Sequence, residues 1–108
     1  IEARHLPDGE YQLGGQAVYV KNGEARLIDG TLAGSTLLMN NGLRNVKNVL
    51  ELSYEDTIDM ATKNPALNLG IYDKKGSIKE GKDADFAVID KDFNVYMTIC
   101  EGNIIFEK

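Results

Sequence analysis

The residues with the strongest formal resemblance to a chemical motif are Gly76 to Lys82, which spell G-x-x-x-x-G-K. That is the frame of a phosphate-binding loop, in which backbone N–H groups and a lysine hold phosphate oxygens. The next residue is Asp83, where such a loop needs Ser or Thr for Mg²⁺, and a carboxylate there repels phosphate. A strand pattern follows, not the helix the motif requires. The stretch therefore reads as a surface loop with glycines at its turns.

Other reactive side chains are sparse. His5 is the single histidine, so no multi-histidine metal site can be built from this chain. In its polar loop it reads as solvated, with contact to an anionic ligand as the alternative. Cys100, the single cysteine, lies at a strand's end with no histidine near it and reads as a small buried hydrophobe, not a nucleophile. Glu55, Asp56 and Asp59 fall on the outer side of an expected helix, as a solvated surface. Asp29 precedes Gly30 and reads as a turn residue rather than a general base.

Asp29-Gly30-Thr31-Leu32-Ala33-Gly34-Ser35 is more informative. Gly34 removes side-chain bulk, so a ligand can approach the backbone. Ser35 is expected to cap a helix beginning at Thr36, whose first N–H groups would be free to bind an oxygen. A plain loop-to-helix junction explains the same residues, and both readings stand at this point.

The elements around that junction follow from pattern. Residues 1–8 read as a polar loop ending in the turn Pro7-Asp8-Gly9. Glu10 to Leu13, Gln16 to Val20 and Ala25 to Ile28 alternate as strands around Gly14-Gly15 and Asn22-Gly23. They predict a β-ribbon over 10–28. An amphipathic helix is expected over 35–51, with Met39, Leu43, Val46 and Leu50 on its apolar face and Asn41, Arg44, Lys47 and Asn48 opposite. Ser53 with Asp56 marks a second helical region over 54–69 carrying Tyr54, Ile58 and Ala61 on one side. Pro65 interrupts that region, starting a short third helix over 66–69 that Gly70 closes in a left-handed conformation. Phe86 to Ile89 is a continuous apolar run, expected to be a strand covered on both faces. Val95 to Cys100 and Ile104 to Phe106 are expected to pair across a tight turn.

Composition narrows the classes further. A chain of 108 residues carries one modest core. The net charge of −5, with both signs interspersed, argues against a nucleic-acid partner. No apolar run is long enough for a membrane span, and the first residues lack the apolar region of a secretory signal. A single cysteine excludes an internal disulfide and suits a reducing, cytoplasmic setting. The chain begins with Ile1, which suggests a piece of a longer protein.

Two motifs carry a resemblance. Gly76-Ser77-Ile78 with Gly81-Lys82-Asp83-Ala84-Asp85-Phe86-Ala87-Val88-Ile89-Asp90 resembles the tail of the metal-dependent amidohydrolase superfamily. Leu6-Pro7-Asp8-Gly9-Glu10-Tyr11 and Leu13-Gly14-Gly15, together with Asp29 to Ser35, resemble the N-acetylglucosamine-6-phosphate deacetylase family, and the similarity runs through the whole chain. The resemblance implies the last third of such an enzyme. Its fold class would be α/β. Residues 1–75 would end a (β/α)8 barrel with the β-ribbon as an insertion. Residues 76–108 would supply the C-terminal strands of a small β-sandwich domain. Taken alone the chain reads as α+β.

The resemblance also implies chemistry. The family's substrate-contacting segment carries over onto Leu32, Ala33, Gly34 and Ser35. The catalytic aspartate would lie just before Ile1, and the metal-binding glutamate and histidines further upstream, so the chain would hold no catalytic or metal residue and be inactive alone. Asp29 is not that aspartate. The implied cofactor is a divalent metal, zinc or iron, which polarises the acetamide carbonyl and activates water. The implied partner is a phosphorylated amino sugar, and the strands from Phe86 onward are expected to expose edges that favour a homodimer. The products would be acetate and glucosamine 6-phosphate. The alternatives are another amidohydrolase of amide or amino-sugar substrates, and a non-catalytic structural module.

Overall fold

The computed structural model describes residues 6–108, so His5 lies outside the described residues. The chain divides into two units, Ile1–Leu38 and Met39–Lys108.

The first unit is a four-stranded antiparallel meander of β1 (Gly9–Leu13), β2 (Gln16–Lys21), β3 (Glu24–Arg26) and β4 (Leu32–Gly34), in that order. Two-residue turns at Gly14-Gly15 and Asn22-Gly23, all left-handed, join the first three strands and set their register. That register places Val20 opposite Ala25. Val18, Val20 and Ala25 are buried on one face, with Tyr11, Leu27 and Ala33 packed against them. The Tyr11 hydroxyl donates to the Pro7 carbonyl at 2.6 Å.

Two expectations need correcting here. The returning strand ends at Arg26, so Leu27 and Ile28 belong to a loop. Leu32 to Gly34 form a strand, not a loop opening a helix. The reason is the Asp29-Gly30 turn. The Thr31 N–H donates to Asp29 Oδ1 at 2.9 Å, Gly30 is left-handed, and the chain folds back so that Leu32 pairs with Arg26.

The second unit contains α1 (Met39–Leu50), α2 (Tyr54–Ala61), α3 (Lys63–Asn68) and an antiparallel sheet of β5 (Phe86–Ile89), β6 (Val95–Cys100) and β7 (Asn103–Glu107). α1 starts at Met39 rather than Ser35. The Ser35 hydroxyl accepts the Leu37 N–H at 3.0 Å, and the Thr36 hydroxyl donates to the Gly23 carbonyl, so both residues serve the first unit. Ser53 does cap α2, accepting from the Asp56 N–H at 3.1 Å. The expected region 54–69 is two helices, because Thr62 breaks the helical path at φ −129° and ψ −82°. α3 begins at Lys63, so Pro65 sits inside its first turn, where a missing N–H costs nothing. It ends as expected at left-handed Gly70. The Gly70 N–H donates to the Leu67 carbonyl at 3.2 Å, and the Ile71 N–H to that of Ala66 at 2.9 Å.

Phe93 organises this unit. It lies in the turn between β5 and β6 at φ 62° and is 1% exposed. Its ring stacks on Tyr54 at 5.9 Å, and the Tyr54 hydroxyl donates to the Lys91 carbonyl at 2.7 Å. The Asp90 carboxylate shapes the turn by accepting the N–H groups of Asp92 at 2.8 Å and Asn94 at 2.9 Å. Hydrogen bonds from the Asn94 side chain and backbone hold the Asp90 carboxyl below the usual carboxylate range. α1 meets the turn through its polar side. Asn40 Nδ2 donates to the Phe93 carbonyl at 3.1 Å, and Arg44 Nε to that of Asp92 at 2.6 Å. Arg44, expected in solvent, is thus a docking residue. On the expected apolar face Met39 remains 69% exposed, and no α1 residue is buried.

The loop before β5 is tied by charge. The Lys75 ammonium contacts Asp83 at 3.0 Å and also pairs with Asp85, whose other oxygen accepts the Glu101 N–H at 2.8 Å. Lys82, the lysine of the G-x-x-x-x-G-K frame, donates to the Tyr72 carbonyl and lies 3.5 Å above the Tyr72 ring centroid. Its charge is spent on this loop, as the surface-loop reading requires. β5 is not covered on both faces. Its adjacent residues Ala87 and Val88 are both exposed. The helices and sheet leave an apolar groove of about 830 Å³ lined by Leu43, Ile58, Ala66, Phe86, Ile89 and Val95.

Three outcomes test this description. Phe93→Ala should lower stability in urea unfolding by about 3–5 kcal/mol, as truncating a buried Phe does. Gly76 has φ 92°, and an added Cβ would stand 2.7 Å from the Ala66 Cβ. Gly76→Ala should therefore cost the backbone strain of about 1–2 kcal/mol plus an overpacking penalty of about 1–3 kcal/mol. Gly102→Ala, at φ 81° with nothing within 4 Å, should cost the strain alone. The third outcome concerns pH. Hydrogen bonding from Lys75 and then from the Glu101 N–H holds the Asp85 carboxyl below its ordinary range, and contact with Asp85 and Asp83 raises the Lys75 ammonium. A depressed carboxyl stabilises above its unfolded pKa, and this is lost as pH falls through the lower folded value. A raised ammonium stabilises below its unfolded pKa, and this is lost as pH rises through the higher folded value. The stability gap between the native chain and Lys75→Met should be constant from about pH 5 to about pH 9 and narrow below about pH 4.

Candidate functional site

The outer edge of the first unit's sheet carries three of the four sequence-selected residues, Leu32, Ala33 and Gly34, and Ser35 directly follows it. β4 pairs with β3 on one side, with Ala25 opposite Gly34 and Arg26 opposite Leu32. Its other side has no strand among the described residues. An edge strand leaves alternate backbone N–H and C=O groups unpaired, so this edge can hydrogen-bond a ligand's hydroxyls and oxygens. The side chains divide by the pleat. Ala33 packs against Val18, Val20 and Ala25, whereas Leu32 and Gly34 are exposed.

Gly34 is informative because the fold does not explain it. It is not left-handed, and a Cβ built there meets nothing within 4 Å. The space beside it is open to an incoming group. Ser35 follows, and its hydroxyl oxygen holds the Leu37 N–H. The expected helix start at Ser35 is therefore corrected. Ser35 closes a local turn, and Leu32 to Gly34 lie on a strand edge, not at a helix N-terminus.

The strand is braced at both ends. At its start, Arg26 Nη1 donates to the Gly30 carbonyl at 2.7 Å while Arg26 Nε donates to Glu24 at 2.8 Å. At its end the Thr36 hydroxyl reaches the Gly23 carbonyl. The Arg26 guanidinium holds the Glu24 carboxyl below its ordinary range. The Thr31 backbone N–H does the same for Asp29, which makes Asp29 a poor proton acceptor. A shallow depression of about 690 Å³ lies beside this bracing, lined by residues including Tyr19, Lys21, Arg26 and Ile28.

Arg26 and Thr36 were missed by sequence reasoning. Neither is conspicuous until the β3–β4 register puts Arg26 opposite Leu32. The remaining candidates lie in the second unit. Glu55, Asp56 and Asp59 belong to α2. Cys100 ends β6 beside a tight turn and is exposed, not buried as expected. Among the described residues no three His, Cys, Asp or Glu come together to hold a metal ion, so no metal-dependent step is derived from them. No described helix is long and apolar enough to cross a membrane. The arrangement at β4 can bind and orient a ligand.

Comparison with known proteins adds the context. Residues 22–105 match the family model described as "Amidohydrolase family". The chain is 46% identical over 106 residues to an N-acetylglucosamine-6-phosphate deacetylase of Bacillus subtilis, covering 98% of this chain and 27% of that protein. It is 34% identical over 104 residues to an N-acetylgalactosamine-6-phosphate deacetylase of Escherichia coli O157:H7, covering 96% of this chain and 28% of that protein. The crystal structure of N-acetylglucosamine-6-phosphate deacetylase from Thermotoga maritima superposes with a TM-score of 0.85 at 41% identity, covering the whole of this chain and 30% of that one. The chain thus spans about a quarter of the length of the curated relatives it matches. With a family model matched over most of its residues, the chain belongs to the amidohydrolase family.

Proposed function

We propose that the chain serves in the hydrolysis of N-acetylglucosamine 6-phosphate to glucosamine 6-phosphate and acetate, a step of amino-sugar catabolism. The observation that carries this reading is the 46% identity to the B. subtilis deacetylase across nearly the entire chain. In the reaction water adds to the acetamide carbonyl, the C–N bond breaks, and the amine leaves with a proton. The chain's own part is to bind. Leu32, Ala33, Gly34 and Ser35 form a section of the substrate wall, and the open space at Gly34 and the unpaired edge of β4 support that assignment. In this proposal the catalytic aspartate and the ligands of a divalent metal, zinc or iron, lie outside these 108 residues, and the chain alone is inactive. Residues 1–75 complete a (β/α)8 barrel, and residues 76–108 belong to a small β-sandwich domain. The exposed thiol of Cys100 suits a cytoplasmic setting. The proposed assembly is a homodimer, supported by exposed Ile104, Ile105 and Phe106 on the edge strand β7.

A second reading is favoured by the E. coli relative, whose name specifies the galactose epimer. A chimera decides between them. Residues 1–108 would replace the aligned stretch of the B. subtilis protein, and acetate release would be followed on both N-acetylhexosamine 6-phosphates. Preferential cleavage of the glucosamine substrate is expected, and a reversed preference would establish the second reading. Gly34→Val in the chimera should raise KM by roughly tenfold, equivalent to about 1.4 kcal/mol of lost binding. Acetate release by the 108-residue chain alone would refute the placement of catalysis elsewhere.

A further inference from the structure

Among the described residues β4 has a single strand neighbour, so contacts other than a second ladder must decide how far Leu32 to Ser35 stand from the sheet. The β3–β4 pairing is itself irregular, with a register shift between Ala25 and Arg26. The loop from Leu27 to Thr31 is therefore what aims the strand. Within that loop the Leu27 N–H donates to the Thr31 carbonyl at 2.8 Å and the Gly30 N–H to the Leu27 carbonyl at 3.0 Å. Two side chains fasten the loop to the sheet: Leu27 packs against Val18, Val20 and Ala25, and Arg26 supplies the polar tie. Arg26 grips Glu24 on its own strand with Nε at 2.8 Å and the Gly30 carbonyl with Nη1 at 2.7 Å.

We infer that Arg26 is a positioning residue for the Leu32–Ser35 wall, joining Glu24 to the Gly30 carbonyl and so setting the angle at which β4 enters the site. The inference rests on the reading of that wall as a substrate contact. A guanidinium suits the task because its planar fork donates in two fixed directions at once, which a lysine ammonium does not reproduce. Stability alone gives a weak reason for the arrangement. The Arg26 and Glu24 side chains are 42% and 58% exposed, and exposed ion pairs contribute little to folding. The bond to Gly30 instead restrains the one loop whose shape β4 inherits.

The chimera described above tests this with steady-state kinetics on N-acetylglucosamine 6-phosphate and thermal unfolding. Arg26→Ala is expected to raise KM about fivefold to tenfold with kcat within about twofold and Tm nearly unchanged, the pattern of lost ground-state binding. Glu24→Gln should give a smaller rise, and Arg26→Lys, which can still reach one partner, should recover part of the loss. If Arg26→Ala leaves KM unchanged while Gly34→Val raises it, the wall stands and the role of Arg26 is refuted. If neither variant changes KM, the wall is not a substrate contact and the inference fails with it. A large fall in Tm, with kcat and KM both impaired and no recovery in Arg26→Lys, assigns Arg26 to general folding and overturns the positioning role.

Discussion

Phe93 sits in a turn, at a backbone angle that bulky residues seldom adopt, and is nevertheless almost wholly buried. Its ring lies against Tyr54 and its carbonyl takes the Asn40 amide, so one residue joins the β5–β6 turn to two helices. The Asp90 carboxylate makes that possible. By holding the N–H groups of Asp92 and Asn94 it forces the chain around Phe93 and points the ring inward. Arg44 and Tyr54 then satisfy the turn's carbonyls at Asp92 and Lys91. The remaining core of this unit is small, with Thr57 and Ala66 its other buried side chains, so the Phe93 contact carries much of the docking between helices and sheet. Thr57 is polar yet fully enclosed, and its hydroxyl is satisfied by the Ser53 carbonyl at 2.7 Å.

The first unit works by a different constraint. Its core is three small aliphatic side chains on one face of a twisted meander, too little to hold a short fourth strand by burial alone. β4 is held instead by polar ties at its ends, from Arg26 to Gly30 and from Thr36 to Gly23. Among the described residues its outer edge is unpaired and the space at Gly34 is empty. A strand with one edge unpaired among the described residues, a glycine unexplained by packing and a restrained approach loop fit the proposed binding role better than that of a reactive centre. Glu24, on the neighbouring strand, and Asp29, in the loop before β4, are both engaged and held acidic, which fits that role.

Much of the architecture was legible in the residues. The Asn22-Gly23 hairpin, the Ser53 cap, the Gly70 terminus and the β6–β7 pair all rest on interactions between residues a few positions apart. The family tail from Gly76 to Asp90 was legible as a motif, and the structure supplies a reason for several of its members. Gly76 has no room for a Cβ, and Asp83 and Asp85 neutralise Lys75. The failures share a cause. Arg44 was assigned to solvent and Leu32 to Gly34 to a loop because their partners are distant in sequence or lie on another strand.

The amino-acid sequence by itself determined the hairpins, the Ser53 cap and the family, because turn chemistry, capping and motif identity are local properties. Only the tertiary structure decided that Leu32 to Gly34, in the proposed wall, form a strand edge. That outcome depends on a guanidinium choosing the Gly30 carbonyl over water and on a hydroxyl at Thr36 reaching back to Gly23. It likewise took the fold to turn Phe93, an unremarkable residue in a polar turn, into the anchor of the second unit. Hydrogen-bond geometry and packing between separated segments set these results, and neither is written in the spacing of residue types along the chain.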